Sequence, residues 1–328
     1  MTGLAHVVAP NVVPSARFEE LLEPARRRLR LPANLLERVS GVRERRWWDD
    51  DDDFRVRTAE AGAKALADAG VDPADVGLMI NTSVSRPYLE PSVAVAVHDE
   101  MGLPSSALNF DITSACVGFV KGIVVAASMI EAGHIEHAVV VNGENVRKTQ
   151  QETIERLGRQ DATRGDYANQ FATLTLGDGA AAAVISRASA GRDGHRLVGG
   201  VARAGTQHHE LCVGSVGDMR TDTKALLTHG LALVVDAWRE AEADGFSWTD
   251  ADRVVTHQIS TPYTEAFVDS VGVDPARVPI TFDLWGNVGP ASIAMTLSDE
   301  ASRLNRGDKV VALGVGSGLN TLLLEFDW

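Results

Sequence analysis

Three features of the sequence predict an α/β fold: short β-branched runs that alternate with amphipathic segments, glycines that close most of those segments, and a turn–helix–strand pattern that occurs twice. In chain order the runs Val76–Asn81, Ala138–Asn142, Ala180–Ser186, Arg253–Thr256 and Lys309–Gly314 read as strands, because β-branched side chains suit a pleated, half-buried surface. Helical spacing or composition marks Arg57–Ala69, Pro91–Met101, Val117–Ala132, Leu226–Ala243, Pro262–Val271 and Ala291–Leu304. Gly70, Gly102, Gly133, Gly245, Gly272 and Gly307 follow them as stop residues, able to take the left-handed conformation that ends a helix.

The repeated pattern organises the rest. Asp111–Gly143 runs through a small-residue turn at Cys116, an apolar helix, Gly133 and a strand, and Asp283–Gly318 runs through a turn at Asn287, a helix, Gly307 and a strand ending in Gly314–Gly318. Two related halves are therefore expected, 1–190 and 191–328, divided where Ser, Gly, Arg and Asp replace apolar residues within Ser186–Val198. The polar stretch from Asn145 to Ala172 reads either as a solvated surface excursion or as a lid or subunit contact.

Composition excludes several classes. With 45% hydrophobic and 23% charged residues in 328, the chain is ordinarily globular rather than disordered. Its 31 Lys and Arg against 45 Asp and Glu give a net charge of -14, and no basic cluster interleaved with aromatics follows a phosphate backbone, so nucleic acid is not an expected partner. Two cysteines make no disulfide framework and fit a reducing compartment. Met1–Ser15 holds Pro10 and Pro14 with no basic start, unlike a secretory signal, and no apolar stretch reaches bilayer length. A soluble, cytoplasmic protein is expected. The run Asp49–Asp53 lacks the spacing and glycines of a cation loop and reads as a solvated face, so no metal is expected.

Cys116 leads into a segment apolar on nearly every face, which marks a buried helix with the cysteine at its N-terminal end. Unpaired amides and the positive end of the helix dipole favour a thiolate there and can hold a developing oxyanion. On these grounds alone the nucleophile stands level with a small buried hydrophobe. Cys212, between Leu211 and Val213, reads as the latter. Among nine histidines, His257 is best placed, at the end of the strand Arg253–Thr256 and before a turn that opens a helix. Asn287, in Gly286–Ser292, equally suits a plain turn residue.

Together the motifs name a family. Ser114-Ala115-Cys116, Gly177-Asp178-Gly179-Ala180-Ala181, His257-Gln258, Gly286-Asn287 and Gly314-Val315-Gly316-Ser317-Gly318 follow the order and approximate spacing of the ketoacyl synthase III branch of the thiolase superfamily, and the resemblance covers nearly the whole chain. It implies a thiolase fold of two pseudo-duplicated halves in αβαβα layers. It also implies a catalytic triad of Cys116, His257 and Asn287, with the Cys116 amide and the glycine loop at Gly316 and Ser317 as oxyanion partners. Gly41–Arg46 resembles the segment at the family's coenzyme A entrance, which makes Arg38, Arg43, Arg45 and Arg46 candidates for the phosphates. Their plain alternative is surface pairing with Glu37 and the aspartates.

Within the branch, Ile80–Ser92, Asn287–Ser292 and Gly316–Asn320 are closer to the long-chain acyl-CoA condensing enzymes that begin olefin hydrocarbon biosynthesis. A malonyl donor forms its carbanion by losing CO2, whereas a plain acyl-CoA needs a base for its α-proton. By that resemblance Glu90 is the base and reaches into the neighbouring subunit's site, which implies a homodimer. Glu90 would suit the role best when buried in an apolar channel. Without the family, Glu90 reads as a carboxylate at a helix N-terminus beside Pro91. Two departures count the other way: His257-Gln258-Ile259-Ser260 lacks the usual Asn of the His motif, so Asn287 must supply it, and Val117-Gly118-Phe119 stays close to the malonyl-using relatives. The expected reaction is a non-decarboxylative condensation of two fatty acyl-CoAs giving a 2-alkyl-3-oxo acid, with no cofactor beyond the CoA thioesters. A malonyl-using synthase and a same-fold acyltransferase are the alternatives.

Overall fold

The protein is described by a computed structural model covering residues 1–188, 194–215 and 217–328. In chain order the elements are β1 (Gly3–Val8), β2 (Asn11–Pro14), α1 (Ser15–Leu21), α2 (Glu23–Arg28), α3 (Leu35–Ser40), β3 (Glu44–Trp47), α4 (Phe54–Ala69), β4 (Leu78–Asn81), α5 (Val93–Glu100), β5 (Leu108–Asp111), α6 (Gly118–Glu131) and β6 (His137–Glu144). They continue as α7 (Arg147–Gly158), α8 (Arg164–Gln170), β7 (Gly179–Ser186), β8 (Arg196–Ala204), β9 (Cys212–Ser215), β10 (Asp218–Thr221), α9 (Thr223–Ala243), β11 (Arg253–Thr256), α10 (Thr261–Val271), α11 (Phe282–Trp285), α12 (Ala291–Glu300), β12 (Lys309–Gly316) and β13 (Asn320–Asp327).

Two mixed sheets result. One has the order β1-β7-β6-β4-β5, with β4 parallel to β5 and β6; the other has the order β11-β12-β13-β8, with β11 parallel to β12. The period-2 alternation of the strands divides each sheet between two cores. Leu78, Ile80, Ala138 and Val140 of the first sheet and Val255, Val310, Ala312 and Leu324 of the second face one shared core with α6 and α12 between them. The intervening residues Met79, Val139 and Val141 face α4 and α5, while Val254, Val311, Leu313 and Leu323 face α9 and α10. Five layers therefore stack helix, sheet, helix, sheet, helix. The all-round apolar character of α6 follows, since it lies between both sheets.

The expected strands are all present; the missed ones pair on one side only, apart from β13, which lies between β12 and β8. Strands β1, β5 and β8 each pair on one side only, and β8 carries Gly199, Gly200 and two arginines, so none shows a clean apolar run. The proposed dividing point between halves, 190/191, lies outside the described residues. The polar stretch from Asn145 to Ala172 is not a loose excursion: it folds as α7 and α8, the latter opened by a capping box between Thr163 and Asp166. Buried Gln150 of α7 donates to the Thr173 and Leu176 carbonyls at 2.9 Å each, and Leu157 and Tyr167 join a fourth core with Phe18 and Leu174. The aspartate run is spent on local structure: Asp53 caps α4, Asp52 pairs with Arg57 and Asp50 with Arg147.

Candidate active site

Parallel strands place the chemistry. Cys116 follows β5, the Glu90 segment follows β4, Glu144 ends β6, His257 follows β11 and Gly316 ends β12. These are the C-terminal ends of parallel strands, where backbone runs out of the sheet and open crevices form.

Cys116 sits in a 3-10 turn, Ala115–Val117, one turn ahead of regular α6. Ala115 takes φ +45, the left-handed region that a Cβ disfavours, so the backbone at the cysteine is held strained by its surroundings. Burial pushes the Cys116 thiol up to about 12, and Cys212 and Glu144 add to this, against a stabilising bond from the cysteine's own amide. Burial thus outweighs the helix terminus, and the resting group is a thiol rather than the expected thiolate. A Cβ at Gly316 would lie 3.0 Å from the Cys116 nitrogen, so glycine is what keeps that amide open to an oxygen.

His257 is buried, with its backbone amide on the Leu313 carbonyl at 2.8 Å. Burial lowers its imidazole to about 3, so the ring is neutral and donates from one nitrogen. Its Nδ1 is buried with no hydrogen-bond partner among the described residues. Asn287 is held on three sides: its amide donates to Thr175 at 2.9 Å, its carbonyl accepts from Gly177 at 3.0 Å, and its Oδ1 accepts from Gly289 at 2.9 Å. Fixing Oδ1 on Gly289 directs Nδ2, a donor, the other way. Gly286 makes this turn possible at φ +72, where a Cβ would meet the Thr175 carbonyl at 2.7 Å and Arg45 Cβ at 2.8 Å. Both donors suit an enolate or oxyanion oxygen.

Cys212, read from sequence as an ordinary small hydrophobe, belongs to the surroundings of the site. Its thiol, raised mainly by burial, bonds Thr221 Oγ1 at 3.3 Å and Ser317 of the glycine loop. Glu144 was missed altogether. It is fully buried at the end of β6, and its carboxyl carbon lies 3.6 Å from where a Gly289 side chain would begin. A charged residue closing the apolar run Ala138–Asn142 was the available signal.

Glu90 lies exposed in the single chain, between Leu89, 87% exposed, and Pro91. Its own chain does not provide the apolar burial expected of a base. The arginines divide. Arg38 is exposed on α3; Arg43 is open but paired with Asp283 at 2.8 Å; Arg46 is held by Glu44 at 2.9 Å and the Leu284 carbonyl. Arg45 cannot meet a phosphate: it is 0% exposed, donates to the Val13 and Leu174 carbonyls and Ser15 Oγ, and stacks on Phe18 at 4.4 Å. Strand β3 alternates, and its even step turns Arg45 inward. No group of His, Cys, Asp and Glu suited to a metal occurs among the described residues, and no helix among them is long and apolar enough to cross a membrane.

Residues 110–204 match the family model of 3-oxoacyl-(acyl-carrier-protein) synthase III, and residues 241–326 match the model of that synthase's C-terminal part. The acyl-CoA:acyl-CoA alkyltransferase of Xanthomonas campestris is 41% identical, over 100% of this chain and 98% of that protein. The enzyme of the same name from Shewanella oneidensis is 32% identical over the same shares. A crystal structure of Xanthomonas campestris OleA, a cysteine-to-serine variant with bound lauric acid and lauroyl-CoA, superposes with a TM-score of 0.97 at 40% identity, covering 100% of this chain and 98% of that one. Further structures of that protein carry replacements of a glutamate and of a histidine.

Proposed function

This chain belongs to the acyl-CoA:acyl-CoA alkyltransferases within the 3-oxoacyl-(acyl-carrier-protein) synthase III family, and from that premise we propose how its residues join two acyl-CoAs head to head. It is a thiolase-fold condensing enzyme. In the first half-reaction Cys116 sulfur attacks the thioester carbon of a fatty acyl-CoA. The Cys116 amide and the Gly316–Ser317 loop hold the tetrahedral oxyanion, the C–S bond to CoA breaks, and the thiol's proton leaves with the CoA sulfur. In the second, the thioester oxygen of another acyl-CoA lies between neutral His257 and Asn287 Nδ2 while Glu90 removes the α-proton. The carbanion attacks the acyl-cysteine, Cys116 departs and regains its proton, and a 2-alkyl-3-oxoacyl-CoA results. Water then releases CoA and the 2-alkyl-3-oxo acid.

The observation that carries this reading is that Cys116, His257 and the Gly316 loop come together at the C-terminal ends of β5, β11 and β12, with a Cβ at Gly316 only 3.0 Å from the Cys116 nitrogen. Spacing supports it too: the glutamate and cysteine replaced in the Xanthomonas protein are 26 positions apart, as are Glu90 and Cys116. The open edge of β5, with Leu108 53% exposed, and the outlying Leu89 and Glu90 support a homodimer in which Glu90 serves the neighbouring site. The same proposal divides the chain into halves 1–190, with Cys116 and Glu90, and 191–328, with His257, Asn287 and the glycine loop. It assigns no cofactor beyond CoA thioesters, a cytoplasmic location, Arg38, Arg43 and Arg46 to the CoA mouth, and an olefin or β-lactone route as consumer of the product.

Purified protein given only a saturated long-chain acyl-CoA tests the reading, with Glu90→Gln and Cys116→Ser alongside. Steady CoA release with a condensed β-keto acid or its ketone breakdown product, lost in both variants, is expected. One burst of CoA without condensed product, followed by turnover only on adding a malonyl thioester, would return the chain to the decarboxylating synthases.

A further inference from the structure

Helix α6 runs between the two sheets, and Lys121 is the one charge it carries before its last residue, Glu131. Lys121 stands seven positions after Ser114, close to two helical turns, and helical side chains lean back towards the N-terminus. Its ammonium donates to Ser114 Oγ at 2.7 Å and pairs with no carboxylate among the described residues. Burial lowers the Lys121 ammonium, and no neighbouring acid offsets this. A half-buried ammonium without an ion pair is costly, so its bond to Ser114 calls for an explanation beyond stability.

Ser114 is the N-cap of the Ala115–Val117 turn, the position from which a serine hydroxyl ordinarily accepts the amide two or three residues on. Here those amides belong to Cys116 and Val117. The side-chain cap is not made: Ser114 Oγ takes Lys121 instead, and the Val117 amide goes to the Ser114 carbonyl at 3.1 Å. Among the described residues the Cys116 amide is left without a partner in another residue, beside the opening that Gly316 keeps clear. A capped amide would have to break its cap before it could hold an oxyanion. We infer that Lys121 is a positioning residue for acylation: its ammonium holds the Ser114 hydroxyl in the rotamer that leaves the Cys116 amide uncapped and free for the oxyanion. The inference rests on that amide being an oxyanion donor in the first half-reaction.

Rapid quench of the CoA burst from a saturated long-chain acyl-CoA tests it, since acylation precedes any choice of second substrate. Lys121→Met keeps an unbranched side chain and loses the donor. Its burst is expected to slow about tenfold, equivalent to about 1.4 kcal/mol and the size of one cap bond, with the half-saturating acyl-CoA concentration unchanged. Ser114→Ala alone removes the hydroxyl together with the need to hold it, and should burst near the parental rate. Lys121→Met combined with Ser114→Ala should return to near that rate, because nothing is left to cap the amide; a lysine that merely packs against α6 gives no such return. A parental burst in Lys121→Met, a double variant as slow as Lys121→Met, or an equally slow Ser114→Ala overturns the inference. Gly316→Ala keeps the two assignments apart. If its burst is parental, the amide is no oxyanion donor and this inference falls with that assignment; if it is slowed while Lys121→Met is not, only the role of Lys121 falls.

Discussion

Replacing Arg45 by lysine separates a buried structural cation from a phosphate ligand, because lysine keeps the charge and loses the fork. Arg45 Nη1 donates to the Val13 carbonyl at 3.1 Å, while Nη2 donates to Ser15 Oγ at 3.1 Å and the Leu174 carbonyl at 2.9 Å. Those acceptors belong to β2, the start of α1 and the turn before β7, so the guanidinium ties three chain segments behind Asn287. One ammonium can keep one of the three bonds. Bonds from a charged donor contribute about 1.5 kcal/mol or more each, so losing two costs about 3 kcal/mol. Burial already lowers the Arg45 guanidinium to about 9, and an ammonium yields its proton more readily in the same place. With about 2 °C per kcal/mol for a chain of this size, the melting midpoint of Arg45→Lys should drop by about 6 °C. Trp47, packed edge-on against Phe18 beneath Arg45, reports the transition by its fluorescence. The KM for acyl-CoA in the folded variant should match the parent's. Unchanged stability with a raised KM would refute this reasoning and return Arg45 to the coenzyme A mouth.

Gly316→Ala puts a methyl 3.0 Å from the Cys116 amide; the CoA burst should slow by about 100-fold, as for loss of one oxyanion donor, with little change in KM, measured by rapid quench. His195, stacked on Trp328 at 3.6 Å, is lowered by burial to about 4, and His257 to about 3, both from 6.5. The unfolded chain binds these protons first, so stability present above pH 6.5 is lost as pH falls towards 4. Urea midpoints over that range should show it, and His195→Phe should flatten the slope by about one proton, about 1.4 kcal/mol per pH unit. Leu108→Lys charges the open β5 edge; sedimentation should find monomers that retain the CoA burst and lose condensation, whereas dimers with full turnover would remove β5 from the interface.

Reading order in the chain recovers elements whose signal is local. Strand β11 and helix α10 were bounded to within a residue or two because a β-branched run, a proline at the second helical position and a closing glycine are written into adjacent positions. Cys116, His257 and Asn287 were legible through their motifs, each set at the end of a strand or the start of a helix. One assignment failed and two sets of contacts went unread for one shared cause. Arg45 sits in an arginine-rich run that looks solvated, yet the pleat of β3 turns it into the core; Cys212 has an unremarkable neighbourhood in sequence but touches Ser317 from across the fold; Glu144 carries out its hydrogen bonding 59 and 60 residues away.

By itself, then, the sequence determined the α/β alternation and the helix stops, which depend on side-chain periodicity and on residue types a few positions apart, and it supplied the motifs on which Cys116, His257 and Asn287 are proposed as nucleophile and partners. Tertiary structure alone decided protonation and direction: that Cys116 rests as a thiol and His257 as a neutral ring, and which arginines face solvent. Those properties are set by the dielectric and the donors gathered around a group, and both are assembled by strands and helices far apart in the chain.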